Sequence, residues 1–268
     1  MTTSTPADPP EIRLPGGLGS GGAVVRVGDT VRRPVLAQTE AVEGFLAHLE
    51  RVGFVGSPRP LGRDASKRSV LSWVDGDVAM PPFPEWAASD DVLVSVAALQ
   101  RAMHSAARTF EAPASASWNR PNLGPITAGA IVCHNDLCVE NVVLRDGVAC
   151  GLIDFDFAAP NDPLSDIAIA CRHWVPFKDP ADVIDGFAGV DQRRRFGLFC
   201  DEHRLGPAER RAVIEHGLDF LDRALETIRG LAASGVPSYV AVWDRGYATQ
   251  NRRSHAWLAA QRDGGLLP

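Results

Sequence analysis

No stretch of this 268-residue chain approaches the ~18 apolar residues of a membrane span. The opening MTTSTPADPP lacks the apolar centre of a signal peptide, so a cytoplasmic protein is expected. Basic charge is not in surplus. The 27 Lys and Arg against 33 Asp and Glu give a net charge of -6, which points to neither nucleic acid nor an anionic membrane surface as a partner and mildly favours a cationic ligand. None of the five cysteines forms a CxxC pair, so Cys133, His134 and Cys138 lack the further ligands of a zinc site; reduced, buried thiols are expected. There is no internal repeat, and no lysine precedes Lys67.

What is present is ordinary for a globular protein: 45% hydrophobic and 22% charged residues, enough for one large domain or two lobes. Residues 1–11 read as a disordered tail. GGLGSGG and the runs VVRV and TVRRP, separated by Gly28-Asp29, follow as glycines and a hairpin. TEAVEGFLAHLERVG spaces Val42, Phe45, Leu46 and Leu49 on one helical face and stops at Gly53, and VLSWVDGD supplies another strand. The proline-rich GDVAMPPFPEWAASDD then connects this strand-rich lobe, residues 12–80, to a mainly helical one, 81–268. Residues 91–111, Pro207 to Gly235 and Tyr239 to Gln261 each carry helical periodicity. Arg193, Arg194 and Arg195 read as an exposed face.

The chemistry concentrates in VCHNDLCVENVVLRDGVACGLIDFDFA, Val132 to Ala158. One loop carries His134, Asp136 and Asn141. A hairpin through Asp146-Gly147 then returns the chain with Asp154 and Asp156. Asn and Asp oxygens suit Mg²⁺, while a separate Asp is free to orient a hydroxyl, the division of labour that phosphoryl transfer from a nucleotide requires. Asp162 is placed to cap a helix that starts at Pro163.

HNDLCVEN followed by LIDFDFA resembles the aminoglycoside phosphotransferase family, a branch of the protein-kinase-like fold, and NDPLSDIA continues the likeness. The resemblance implies an α+β, two-lobed protein-kinase-like architecture and a Mg²⁺-dependent enzyme that moves phosphate from ATP or GTP to a hydroxyl of a small molecule. It implies Asp136 as the catalytic acid, Asn141 and Asp154 as metal ligands, and His134, Asp156 and Asp166 as support. Gly19 and Gly21 would cover the nucleotide phosphates, and Trp73 and Val74 would border the base.

The sequence also departs from the family. The strand lysine that would meet the phosphates is absent, so Arg32 is the expected replacement, with Arg33 the alternative, since only one of two neighbours on a strand can face the cleft. Its helical partner would be Glu40 or Glu43. Asn135 stands where the family often has Gly, and Val139 where it often has Pro. Trp118, Trp174, Trp243, Asp244, Tyr247 and Asn251 are the expected acceptor-pocket residues, although aromatics at such spacings also serve as core. The acceptor class spans aminoglycosides, other hydroxylated antibiotics and metabolites such as amino alcohols or sugars. The competing expectation is a catalytically silent kinase-like binding protein; a protein kinase ranks lower, because no A-P-E segment follows IDFDFA and the six residues 158–163 leave little room for a long activation loop.

Overall fold

The structure, a computed structural model, describes residues 9–14, 23–262 and 265–266. Gly19 and Gly21 lie outside the described residues, as does most of the expected tail. Residues 9–11 are exposed, and the Glu11 carboxylate meets Arg68 at 2.5 Å.

The first lobe is an antiparallel sheet of β1 (Ile12–Arg13), β2 (Val25–Val27), β3 (Thr30–Arg33), β4 (Pro60–Arg63) and β5 (Ser69–Ser72), in the order β1-β2-β3-β5-β4. Helix α1 (Thr39–Arg51) follows β3 and buries Val42, Phe45, Leu46 and Leu49, the face its periodicity marks. From β5 the chain passes through residues 73–76 into β6 (Asp77–Val78). That strand pairs with a later strand and not with the five-stranded sheet. Helix α2 (Asp90–Ala107) opens on Ser89, whose hydroxyl accepts from the Val92 amide at 3.2 Å.

Strand β7 (Ile131–Cys133) leads into the motif-bearing loop. The hairpin of β8 (Val142–Arg145) and β9 (Val148–Leu152) follows, turning on Asp146 and Gly147, both at positive φ, as its Asp-Gly signal requires. Strand β10 (Ala159–Asn161) pairs back on β7. Helix α3 (Pro163–Trp174) starts as expected, with the Asp162 carboxylate accepting from the Leu164 amide at 2.8 Å. Helices α4 (Gln192–Glu202), α5 (Pro207–Ala233), α6 (Pro237–Asp244) and α7 (Tyr247–Gln261) complete the lobe. A continuous core joins Phe45 and Leu46 to Leu93, Met103, Trp174, Phe196, Phe199 and Ile214. Among the described residues no helix is long and apolar enough to cross a membrane.

Two expectations are corrected. Tyr239 to Gln261 is not one helix: the chain breaks at Arg245 and Gly246, where Gly246 takes φ +88, a left-handed turn that glycine adopts without steric cost. Arg195 is not exposed like Arg193 and Arg194. It is 2% exposed, donates from Nε to the Trp174 carbonyl at 2.9 Å, and lies over the Phe187 ring. Burial lowers its pKa to about 10.

Candidate active site

The β7–β10 pair and the β8–β9 hairpin clamp the loop between residues 134 and 141 from both sides, so its side chains are aimed by backbone pairing. His134 is buried, with Nε2 2.9 Å from the Ile153 carbonyl and Nδ1 accepting from the Asp136 amide at 3.3 Å, which ties the loop to the segment carrying Asp154. Burial lowers the His134 pKa and keeps the ring neutral.

Asn135, where glycine is usual, has φ +61, a left-handed conformation that asparagine tolerates better than most residues. Its amide nitrogen donates to the carbonyls of Cys133, Phe157 and Ala159 at 3.2, 3.0 and 3.1 Å, and its oxygen accepts from Asn161 at 2.8 Å. The substitution thus adds a staple between the loop and β10. Below it, Asp166 is wholly buried and accepts from the Asn135 amide at 2.6 Å, from Gln100 at 2.9 Å and from His104 at 2.6 Å. Burial alone would raise its pKa; the hydrogen bond from His104, with that from Gln100, holds it below the ordinary carboxylate value.

His104, Cys133 and Asp166 also bring potential ligand atoms within 4.8 Å of one another. The His104 and Asp166 atoms are in direct hydrogen-bond contact, and burial keeps the Cys133 thiol protonated, so the group is a structural network.

Asp136 is half-buried. Burial, and then the charge of Asp154, raise its pKa to about 7, against the pull of an Asn141 hydrogen bond and of Arg172. Both hydrogens of the Asn141 amide go to Asp136, at 2.8 Å to its carbonyl and 3.1 Å to Oδ2, which leaves Asn141 Oδ1 as the atom free to meet a cation. Asp154 is held at φ +60, ψ +65, a costly conformation for a non-glycine residue that here turns the carboxylate out of the hairpin. Asp156 lies beside it. Its pKa is raised by burial, opposed by Arg33 and reinforced by Asp154. Asn141, Asp154 and Asp156 offer oxygen donors of the kind Mg²⁺ takes, and Arg33 is in contact with both acids.

The strand-borne cation is Arg33, one residue on from the expected Arg32. Arg33 contacts Asp156 directly and lies 3.7 Å from Asp154, whereas the Arg32 side chain turns to the opposite face and Asp64 at 3.8 Å. The expected helical partner is also corrected: Glu43 binds Arg63 at 2.6 Å and Glu40 is exposed, so Arg33 pairs with the cleft acids instead. At the crossing between lobes, the Trp73 amide donates to the Asp29 carbonyl at 2.8 Å and Arg26 stacks 4.0 Å over its ring. Val74 packs so closely on β9 that a Cβ at Gly151 would stand 2.5 Å from its Cγ1.

Several expected acceptor-pocket residues serve the fold. Trp174 is fully buried and donates from Nε1 to the Leu137 carbonyl at 3.0 Å, holding the loop of residues 134–141 onto α3. Asn251 is buried and fastens α7 to α5 by donating to the Leu221 carbonyl at 3.0 Å, while the Tyr247 hydroxyl, one turn earlier on α7, lies 3.4 Å from its amide nitrogen. Trp118 packs at the edge of the core. Trp243 and Asp244 border a 210 Å³ pocket between α5 and α6 that no catalytic-loop residue lines.

Two lobes, a crossing strand, a paired loop and an acid in left-handed conformation define a protein of the kinase-like class. The sequence pattern of the Phosphotransferase enzyme family matches residues 116–199. The trifolitoxin immunity protein of Rhizobium leguminosarum bv. trifolii is 31% identical over 219 residues, 78% of this chain and 80% of that protein. The chain belongs to the phosphotransferase enzyme family. Among solved structures, a choline/ethanolamine kinase family protein from Mesorhizobium loti superimposes with a TM-score of 0.62 at 18% identity, over 95% of this chain and 93% of that one. An amicoumacin kinase, solved with AMP-PNP, Ca²⁺ and Ami, gives 0.60 at 12% identity, over 96% and 89%. These two likenesses establish the shared fold.

Proposed function

We propose that the protein is a small-molecule kinase that uses ATP or GTP with Mg²⁺ and phosphorylates a hydroxyl of its acceptor, with residues 12–80 receiving the nucleotide and 81–268 the acceptor. The carrying observation is the shared geometry of Asp136 and Asn141: one loop aims a carboxylate and a fixed amide oxygen at the place where Asp154 arrives. When bound, Mg²⁺ would neutralise the donor's phosphates against Asn141 and Asp154.

Asp136 orients the acceptor hydroxyl and takes its proton. The hydroxyl oxygen bonds to the γ-phosphorus, and the bond from that phosphorus to the bridging oxygen breaks, its electron pair leaving on the nucleoside diphosphate. Arg33 is the cation of the strand lobe that turns from the acids to the phosphates once they enter. The name of the immunity-protein relative supports an antibiotic-like acceptor, and the kinase neighbours support small alcohols more broadly.

Nucleoside diphosphate release in the presence of hydroxylated antibiotics and metabolites tests this reading. Asp136→Asn is expected to lower acceptor-dependent release by about 10³-fold, in the range that a positioned general base contributes, while the fold and nucleotide affinity persist. Full activity in that variant would remove Asp136 from the reaction.

A further inference from the structure

Just beyond the catalytic loop, the end of α3 and the segment after it carry Arg172, His173 and Lys178, all half-buried. The Trp174 indole pins this segment to Leu137, the residue after Asp136, and Arg172 lies within electrostatic reach of the Asp136 carboxylate. Arg172 packs over the Phe220 ring of α5 at 5.7 Å, so it approaches from the helical lobe, whereas Arg33 comes from the strand lobe.

Among the described Lys and Arg residues that are not exposed, Arg172 and Lys178 are the two whose charged groups have neither a hydrogen-bond acceptor nor a carboxylate within 4 Å. The acids nearest to them do not close the gap. Glu140 acts on Lys178 only at a distance, and Asp182 is already held by Nε and one terminal nitrogen of the Arg253 fork. Burial, with Arg172 alongside, pushes the Lys178 pKa down, as expected of a cation that has lost water without gaining a partner. Half-buried cations left in this state are costly unless something arrives to pair with them.

We propose that Arg172 and Lys178 bind an anionic group, a carboxylate or a phosphate, carried by the acceptor itself, so that the substrate is a hydroxylated anion and not the cation that the net charge of the chain favours. This rests on the phosphotransferase reading. The bound anion sets the distance at which the acceptor's hydroxyl meets Asp136, and α3 carries Arg172 of the anchor together with the Trp174 tie to the loop.

Anion affinity tests the proposal. The protein is saturated with Mg²⁺ and a non-hydrolysable analogue of its nucleotide, which fills the γ-phosphate position, and is titrated calorimetrically with inorganic phosphate and with acetate. The wild type is expected to bind one of these anions, and Arg172→Gln and Lys178→Gln each to weaken it at least tenfold, with nucleotide affinity unchanged. Stronger binding of acetate would mark a carboxylate acceptor, stronger binding of phosphate a phosphorylated one. Thermal unfolding of the ligand-free variants guards against a merely structural role: removing an unpaired half-buried cation should leave the unfolding temperature unchanged or raise it, whereas a structural pair would lower it. Wild-type anion affinity in both variants, or a tenfold loss of nucleotide affinity in either, would overturn the proposal. If the wild type binds no nucleotide, the same titrations without it separate the two readings: anion binding lost in the variants keeps the anion site while the kinase reading fails.

Discussion

The catalytic loop and the segment from Arg172 to Lys178 lie side by side, yet their polar groups are treated in opposite ways. In the loop, Asn135 makes four side-chain hydrogen bonds, His134 uses both ring nitrogens, and Asp166 accepts three hydrogen bonds out of contact with water. In the neighbouring segment two half-buried cations have no carboxylate or hydrogen-bond acceptor beside them, Arg172 lying over the Phe220 ring instead. A fully satisfied network holds a shape, whereas an unsatisfied one has its partner still to come. The contrast separates the residues that build this site from those that await a ligand.

Breaking the satisfied side should have the largest effect. Asp166→Ala leaves the Asn135 amide, Gln100 and His104 without their acceptor, and is expected to cost about 3–5 kcal/mol in chemical denaturation. A loss below ~1 kcal/mol would mean that the network holds much less than its geometry implies.

A smaller effect should appear on acidification. His203 is buried against Gln100, which links it to Asp166, and burial, with His104 nearby, lowers its pKa to about 3 from the ordinary 6.5. Between those values the unfolded chain binds the proton more readily, so stability falls as pH falls, by about 2 kcal/mol at pH 5 from this one group. Neutral His134 and His173 act in the same direction. The lowered pKa of Asp166 adds a further loss only as pH drops below 3.8 through its folded value. Denaturant midpoints from pH 7 to 4 check the slope, and a flat profile in wild type, or an unaltered one in His203→Gln, would place the coupling elsewhere.

The most legible parts of the chain were those fixed over short distances. Asp146-Gly147 marks its hairpin, Asp162-Pro163 its helix start, and eight residues carry His134, Asp136 and Asn141 together. What escaped depends on long-range geometry. Whether Arg32 or Arg33 faces the cleft is set by the register of β3 on β5, which places Arg33 opposite Ser69. Trp174 and Asn251 look like lining residues until their helices are docked, after which each donates to a backbone carbonyl of another element. Gln100 and His104 did leave a signal, two polar residues on the apolar face of α2 with Val96 and Met103. Arg172 and Lys178 left none, because a missing partner shows only once the neighbours are in place.

The measurement closest to the central claim is thermal unfolding with ATP and with GTP, each with and without Mg²⁺, for wild type and Asp154→Asn. A nucleotide that binds only the folded protein stabilises it by about 2.7 kcal/mol at a hundred times its dissociation constant. The kinase reading predicts a Mg²⁺-dependent rise in unfolding temperature for wild type that Asp154→Asn largely abolishes. No rise with either nucleotide, or an equal Mg²⁺-dependent rise in the variant, would contradict it.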